Sequence, residues 1–376
     1  MQKNNKKIAL FSCHSDPNYG SMLQAYALAA AINKLGRNAE YINYTTLPKP
    51  TLVRRIKKTI RTILAWLGYN KRRGEFDFLR TRPFKKIMAA FSDFHKKYIP
   101  VSSELYYSSE VSSTFDVTKY SIYIIGSDQL WSPYLYNNQR PYFLDWADFP
   151  NRNSYATSFG TTHFSSDYTS LLVNKLSKFD NISCREKTNC NTLSEKLGQE
   201  VTHVLDPTLL LQADDWNKIA ISSDLGKPYI LAYILGEKDS IIQFAERLGR
   251  EKDLPVYYIL TRPKYLDIKN VLNDVGPAEF LGLVRDAAYI VTDSFHGSLF
   301  SINYQRNFYA FSKRDGLVNQ NDNIRIVEFL TQLGLQARFH QDVESAKCLP
   351  DIDYKRVNFS IEQLRNMSYS YLKKIV

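Results

Sequence analysis

His296 stands in Asp293-Ser294-Phe295-His296-Gly297-Ser298, where an apolar run ends in a polar turn and Gly297 then opens a helical pattern. An imidazole at the mouth of a sheet is suited to moving a proton near neutral pH. Ser294, Gly297 and Ser298 around it belong to a helix start, which favours an anion. Arg185 follows a second short run, beside Glu186 and Lys187. Its guanidinium could grip a carboxylate or phosphate through paired N–H bonds, or close a surface salt bridge. In Ile125-Gly126-Ser127-Asp128-Gln129 a strand releases Ser127 and Asp128 at its carboxyl end, where ligands of open α/β sheets bind. Asp128 could hold a hydroxyl, serve as a base or form a turn. Near the start, Asp16, Asn18, Tyr19, Gly20 and Gln24 surround another helix N-terminus, either a ligand-facing loop or a plain cap. Arg262 and Lys264 add cations after a further strand. No His or Cys spacing suggests a metal site.

These residues need a scaffold that brings strand ends together. Apolar runs at 7–13, 39–43, 121–125 (broken at Gly126), 154–159, 181–183 and 203–205 read as strands. Helical spacing at 21–35, 168–178 and 188–197 supplies the connections. After a polar stretch at 214–227 the alternation restarts, with strands at 229–235, 256–260 and 289–292 and helices near 240–248 and 277–288. A strand at 308–311, a helix at 323–333 and an amphipathic tail at 361–375 complete it. Alternation of this kind predicts two Rossmann-like domains facing one cleft, about 1–213 and 227–350, with a tail, 351–376, that could cross back to the first domain.

The 376 residues carry a formal charge of +11, and it is concentrated. Residues 51–100 hold 14 basic and 3 acidic residues, leaving the remainder balanced. A nucleic-acid enzyme would carry basic surface near its catalytic loops, so nucleic acid is not expected as a partner. On a helical wheel Leu52, Val53, Ile56, Ile60, Ile63, Leu64 and Leu67 share an arc of about 120°, with Arg54, Arg55, Lys57, Lys58 and Arg61 elsewhere and Trp66 near the edge of the apolar face. The alternatives are a helix docked on an anionic membrane or one packed on the core. No stretch approaches the ~20 apolar residues of a membrane span, and the short apolar run near the start is too brief for a signal peptide. The expected location is the cytoplasm, at the inner face of the cell membrane. Cys13, Cys184, Cys190 and Cys348 include no C-x-x-C pair and are expected as reduced, buried thiols.

Taken together the motifs resemble the polysaccharide pyruvyl transferase family. N-Y-G-x-x-L-Q-A-Y-A-L at 18–28, I-G-S-D-Q-x-W at 125–131, S-Y-A-x-S-F-G at 154–160, S-x-R-E-K at 183–187, D-P-T-L-L at 206–210 and D-S-F-H-G at 293–297 occur in the family's order. The resemblance spans about residues 8–333. It implies a glycosyltransferase-B-like enzyme that moves a pyruvyl group from phosphoenolpyruvate onto two hydroxyls of a sugar, such as galactose, in a lipid-linked oligosaccharide. The product would be a ketal within a capsular or exopolysaccharide. It also implies His296 as the acid, Arg185 as a donor-binding residue, and no cofactor beyond phosphoenolpyruvate as co-substrate. Some members have Arg-Leu-His where this chain has Ser294-Phe295-His296, so one arginine contact is missing, and Arg262 or Lys264 are the expected substitutes. Asp128 or Asp16 is expected as base or sugar-orienting group, with the acceptor near Asn18, Tyr19, Gly20, Gln24 and Ser127. Two rivals stand beside this reading: a glycosyltransferase using a sugar nucleotide, and a non-catalytic membrane-bound scaffold of polysaccharide assembly.

Overall fold

The computed structural model describes residues 6–45, 49, 82–134, 141–226, 228–236, 238–261, 268–312, 323–341, 343–344 and 346–376. Arg54, Arg55, Lys57, Lys58, Arg61 and Trp66, with Arg262 and Lys264, lie outside the described residues.

The first half contains β1 (Ile8–Phe11), α1 (Tyr19–Lys34), β2 (Ala39–Thr45), α2 (Arg82–Tyr98), β3 (Val101–Tyr107), α3 (Val111–Thr114) and β4 (Ile122–Asp128). It continues with β5 (Arg152–Thr157), α4 (Ser166–Leu176), β6 (Ile182–Cys184), α5 (Lys187–Leu197) and β7 (Val201–His203). Its seven strands lie side by side in the order β3-β2-β1-β4-β5-β6-β7, and every pairing is parallel. Ile8, Ala9, Leu10 and Phe11 are buried without alternation, as a strand covered on both faces requires.

The second half contains α6 (Ala213–Asn217), β8 (Ile230–Ile234), α7 (Asp239–Lys252), β9 (Val256–Leu260), α8 (Pro277–Asp286) and β10 (Tyr289–Thr292). It ends with α9 (Phe295–Asn303), β11 (Asn307–Phe311), α10 (Ile324–Gln332), β12 (Phe339–His340) and α11 (Tyr354–Ile375). Five parallel strands run in the order β12-β11-β10-β8-β9. The protein is thus an α/β molecule with two parallel sheets.

Strand order reverses between β1 and β4 in one sheet and between β10 and β8 in the other. Connections leave in opposite directions there, so a crevice opens at the carboxyl ends of those strands. It receives the loop after β1, the end of β4 and the turn from β10 into α9.

Helix α11 packs on the first half. The Ser368 hydroxyl accepts from the Leu205 amide at 2.9 Å, Tyr371 donates to the Ser154 carbonyl at 2.9 Å, and Arg365 Nε donates to the Leu209 carbonyl at 2.7 Å.

Three sequence readings change. Strand β4 does not break at Gly126 but continues to Asp128, because β5 pairs with it throughout. The polar stretch read at 214–227 is not without an element, since α6 reaches into it and buries Trp216 completely. Cys184 and Cys190 are joined as a disulfide rather than held as separate thiols, because the turn from β6 into α5 brings their Cα atoms to 6.0 Å.

Candidate active site

Arg185, at the end of β6, is 7% exposed and deeply wired. Its Nε donates to Ser127 Oγ and to the Ala156 carbonyl, each at 3.0 Å. Its Nη2 donates to Gln24 Oε1 and Ser127 Oγ, each at 2.6 Å, and Nη1 forms an ion pair with Asp206 Oδ2 at 3.0 Å. The frame around it is strained: Asp128 has φ 88° and Ala156 φ 53°, left-handed values that neither residue type adopts freely. Such conformations cost on the order of 1–3 kcal/mol and persist only where the surroundings enforce them. The Ala156 carbonyl, which takes both Arg185 Nε and the Ser127 hydroxyl, belongs to one of these residues.

Asp206 joins the two halves. It caps the turn Pro207–Leu209, its Oδ1 accepting from the Thr208 amide at 2.9 Å and hydroxyl at 2.7 Å. Its Oδ2 faces both Arg185 and, at 3.5 Å, Nε2 of His296. Burial opposes its ionisation, but the charge of Arg185, followed by His296 and the Thr208 hydroxyl, holds the carboxyl far below its usual range. A carboxylate facing one imidazole nitrogen fixes the ring's orientation and tautomer.

His296 is 8% exposed and reaches across from α9 onto the first turn of α1. A Cβ on Gly20 would lie 2.1 Å from His296 Nδ1, so only glycine leaves room for the ring. Gly20, expected near the acceptor, serves a close approach between the halves. Gly297 has a similar reason, since a Cβ there would lie 2.5 Å from Thr292 Oγ1. Ser294 caps α9 by accepting the Gly297 amide at 3.3 Å, and the Ser298 hydroxyl donates back to the Ser294 carbonyl at 3.2 Å.

The remaining expected acceptor residues part company. Gln24 and Ser127 are buried and engaged by Arg185, so they position the guanidinium rather than face an acceptor. Tyr19 is buried between the halves: its hydroxyl donates to the Val275 carbonyl at 2.7 Å and its ring stacks on Phe280 at 4.7 Å. It is a packing residue. Asn18 is the exposed cap of α1, accepting the Ser21 amide at 3.2 Å. Asp128 is half-buried and accepts the Ser21 hydroxyl at 3.0 Å. Burial opposes its charge, yet Arg185, His296 and Arg325 together keep its carboxyl below the usual range, which leaves it a weak base. Asp16, on the exposed loop, is shifted the other way, raised by desolvation and by Asp128. Of the two, Asp16 is better suited to accept a proton.

The arrangement also corrects the reading of Arg185. A buried guanidinium whose Nε and Nη2 are already hydrogen-bonded has little left for a paired grip on a ligand, and it acts as the hub that holds Asp206. Sequence reasoning missed Asp206, although it heads the D-P-T-L-L motif, and Arg325. The latter lies on the first turn of α10, with its guanidinium carbon 5.1 Å from the Phe295 ring centroid. Glu186, the neighbour of Arg185, is fully buried and accepts the Ser158 hydroxyl at 2.5 Å.

Comparison with known proteins gives a family and a set of distant shapes. No curated protein matches the chain. Solved structures similar to it include UDP-GlcNAc 2-epimerase from Methanocaldococcus jannaschii, at 12% identity and TM-score 0.45, over 96% of this chain and 92% of that one. UDP-GlcNAc 2-epimerase from Neisseria meningitidis, bound to UDP-GlcNAc, aligns at 9% identity and TM-score 0.46, over 98% and 93%. An E. coli heptosyltransferase with ADP-2-deoxy-2-fluoro heptose aligns at 12% identity and TM-score 0.37, over 84% and 91%. The polysaccharide pyruvyl transferase family matches residues 18–313, a span that takes in the Gly20 contact, the Arg185–Asp206 pair and His296. The chain belongs to the polysaccharide pyruvyl transferase family.

Proposed function

We propose that the protein transfers the pyruvyl group of phosphoenolpyruvate to two hydroxyls of a sugar in a lipid-linked oligosaccharide, forming a ketal. The observation that carries this reading is the convergence of His296, Asp206 and Arg185 where the two sheets meet. With Nε2 turned to Asp206, Nδ1 is the nitrogen that moves the proton. It protonates the methylene carbon of phosphoenolpyruvate, leaving an oxocarbenium-like centre at the adjacent carbon. One acceptor hydroxyl adds there and gives up its proton, with Asp16 as the receiving base. Phosphate then leaves with the C–O bond electrons and takes the proton held by Asp16, and a neighbouring hydroxyl closes the ketal, its proton passing to the neutral His296 and restoring the acid. Net, the sugar gains pyruvate and loses one water, and inorganic phosphate is released.

Mass spectrometry of a lipid-linked, galactose-containing oligosaccharide incubated with phosphoenolpyruvate tests this. The expected product is heavier by pyruvate less one water, and His296→Gln should lower its formation by about 100- to 10,000-fold with the fold intact. An unmodified acceptor, with sugar transfer from a nucleotide sugar instead, would overturn the reading. The basic segment around Arg54, Arg55, Lys57, Lys58, Arg61 and Trp66 would hold the protein at the anionic membrane that carries such an acceptor. Vesicle binding that ignores salt and lipid charge would remove that part.

A further inference from the structure

Arg325 differs from Arg185 in what it touches. Its Nε is buried without a hydrogen-bond partner, and among the described residues its guanidinium makes no ion pair. Both guanidinium groups approach the ring of Phe295, Arg185 at 5.6 Å and Arg325 at 5.1 Å from the centroid. Beside Arg325 is a small cavity of about 30 Å³, bordered on its polar side by Asp293, Ser294, Ser298 and Asn323 and on its apolar side by Phe295, Ala310, Phe311 and Ile326. That volume is about the share of one water, and the cavity is partly open to solvent.

The cavity adjoins the start of α9. Ser294 Oγ accepts the Gly297 amide, whereas the Phe295 and His296 amides have no partner among the described residues. The acid that lines the cavity is already occupied: Asp293 accepts the Leu235 and Gly236 amides, each at 2.7 Å. Burial, and then the charge of Arg185, lower the pKa of Arg325, with Asp128, Glu186 and Asp206 only opposing that trend. A partly buried cation with a buried, unpartnered Nε, beside a cavity at the open start of a helix, is an incomplete arrangement until an anion arrives.

We infer that Arg325 and the open first turn of α9 bind the phosphate of the donor, so that Arg325 replaces the arginine missing from Ser294-Phe295-His296. The inference rests on the donor reading above for its substrate and on the cavity for its place. A tetrahedral dianion accepts from two Arg N–H groups and from helix amides at once, which a planar carboxylate does less well.

The test is binding to the full chain, by calorimetry and thermal protection, of inorganic phosphate, phosphoenolpyruvate and pyruvate. Wild type should bind the first two. Arg325→Ala and the bulkier Arg325→Gln should each weaken both by about 10- to 100-fold and leave pyruvate unchanged, with circular dichroism showing both variants folded. Absence of phosphate binding to wild type, or equal binding by wild type and both variants, overturns the inference. An equal loss for pyruvate overturns it too, because Arg325 would then hold the carboxylate. Arg325-dependent phosphate binding without ketal formation would sink the donor reading and keep the site. Ketal formation with phosphate binding indifferent to Arg325 would do the reverse.

Discussion

The two sides of the cleft treat their polar groups in opposite ways. On the first-half side, Arg185, Gln24, Ser127 and Asp206 are buried and bound to one another. On the second-half side, Arg325 and the first amides of α9 border a cavity with their donors unspent. The wired side is nearly closed on itself without a ligand, with Gln24 Nε2 left unpartnered, so its groups chiefly set positions. The open side is not, so its groups wait for one. The contrast teaches that a buried arginine at a strand end is a poor guide to where an anion binds until its hydrogen bonds are traced.

The sharpest way to break this comparison is to cut the wired side. Asp206→Ala removes the ion-pair partner of the buried Arg185 and should cost about 3–5 kcal/mol in denaturant unfolding, with turnover also lost. A loss under about 1 kcal/mol would mean that Arg185 is not held by Asp206 in solution.

A second wired pair extends the same logic to pH. His14 Nδ1 and His95 Nε2 lie 3.0 Å apart, tying the loop after β1 to α2. Burial, then the neighbouring His95, bring the pKa of His14 down from 6.5 to about 4. The unfolded chain therefore takes up a proton below pH ~6.5 that the folded one refuses until about pH 4. Stability contributed by neutral His14 is full above that window and declines by about 3 kcal/mol on acidification through it. Unfolding of wild type and His14→Gln between pH 7 and 4.5 checks this; parallel curves would show that His14 is not buried neutral.

The smallest expected effect sharpens the boundary between the sides. Alanine is about 1 kcal/mol better than glycine inside a helix, so Gly20→Ala favours α1 itself. Its Cβ would nevertheless displace His296, and turnover should drop about 10- to 100-fold while the melting temperature moves little. Unchanged turnover would mean that the imidazole does not work from above Gly20.

Much of the scaffold was legible because parallel strands covered on both faces are continuous apolar runs, as at Ile8–Phe11 and Tyr289–Thr292. Edge strand β3 escaped because Ser103 and Glu104 face solvent and break such a run. The end of β4 escaped because its last residues are polar, which is what the carboxyl edge of a functional sheet requires. Helix α6, five residues long, is too short for periodicity to show even though Trp216 is core. Within the site, His296 was legible from its turn, whereas Asp206 and Arg325 acquire meaning only through partners far away in sequence. The spacing of Cys184 and Cys190 matched no known pattern, and only the turn between them brings them together.

Tyr19 begins a helix of the first half but is housed by Val275 and Phe280 of the second. Around it, one unbroken apolar cluster runs from Leu10 through Trp216 to Leu231 and Leu372. Interfaces that let domains swing are smaller and more polar than this. The molecule should consequently melt in a single cooperative transition, and its cleft should stand open at rest instead of being swept shut in each cycle. With no large segmental motion in the cycle, the chemical step read in single turnover of the bound complex should be indifferent to added viscogen.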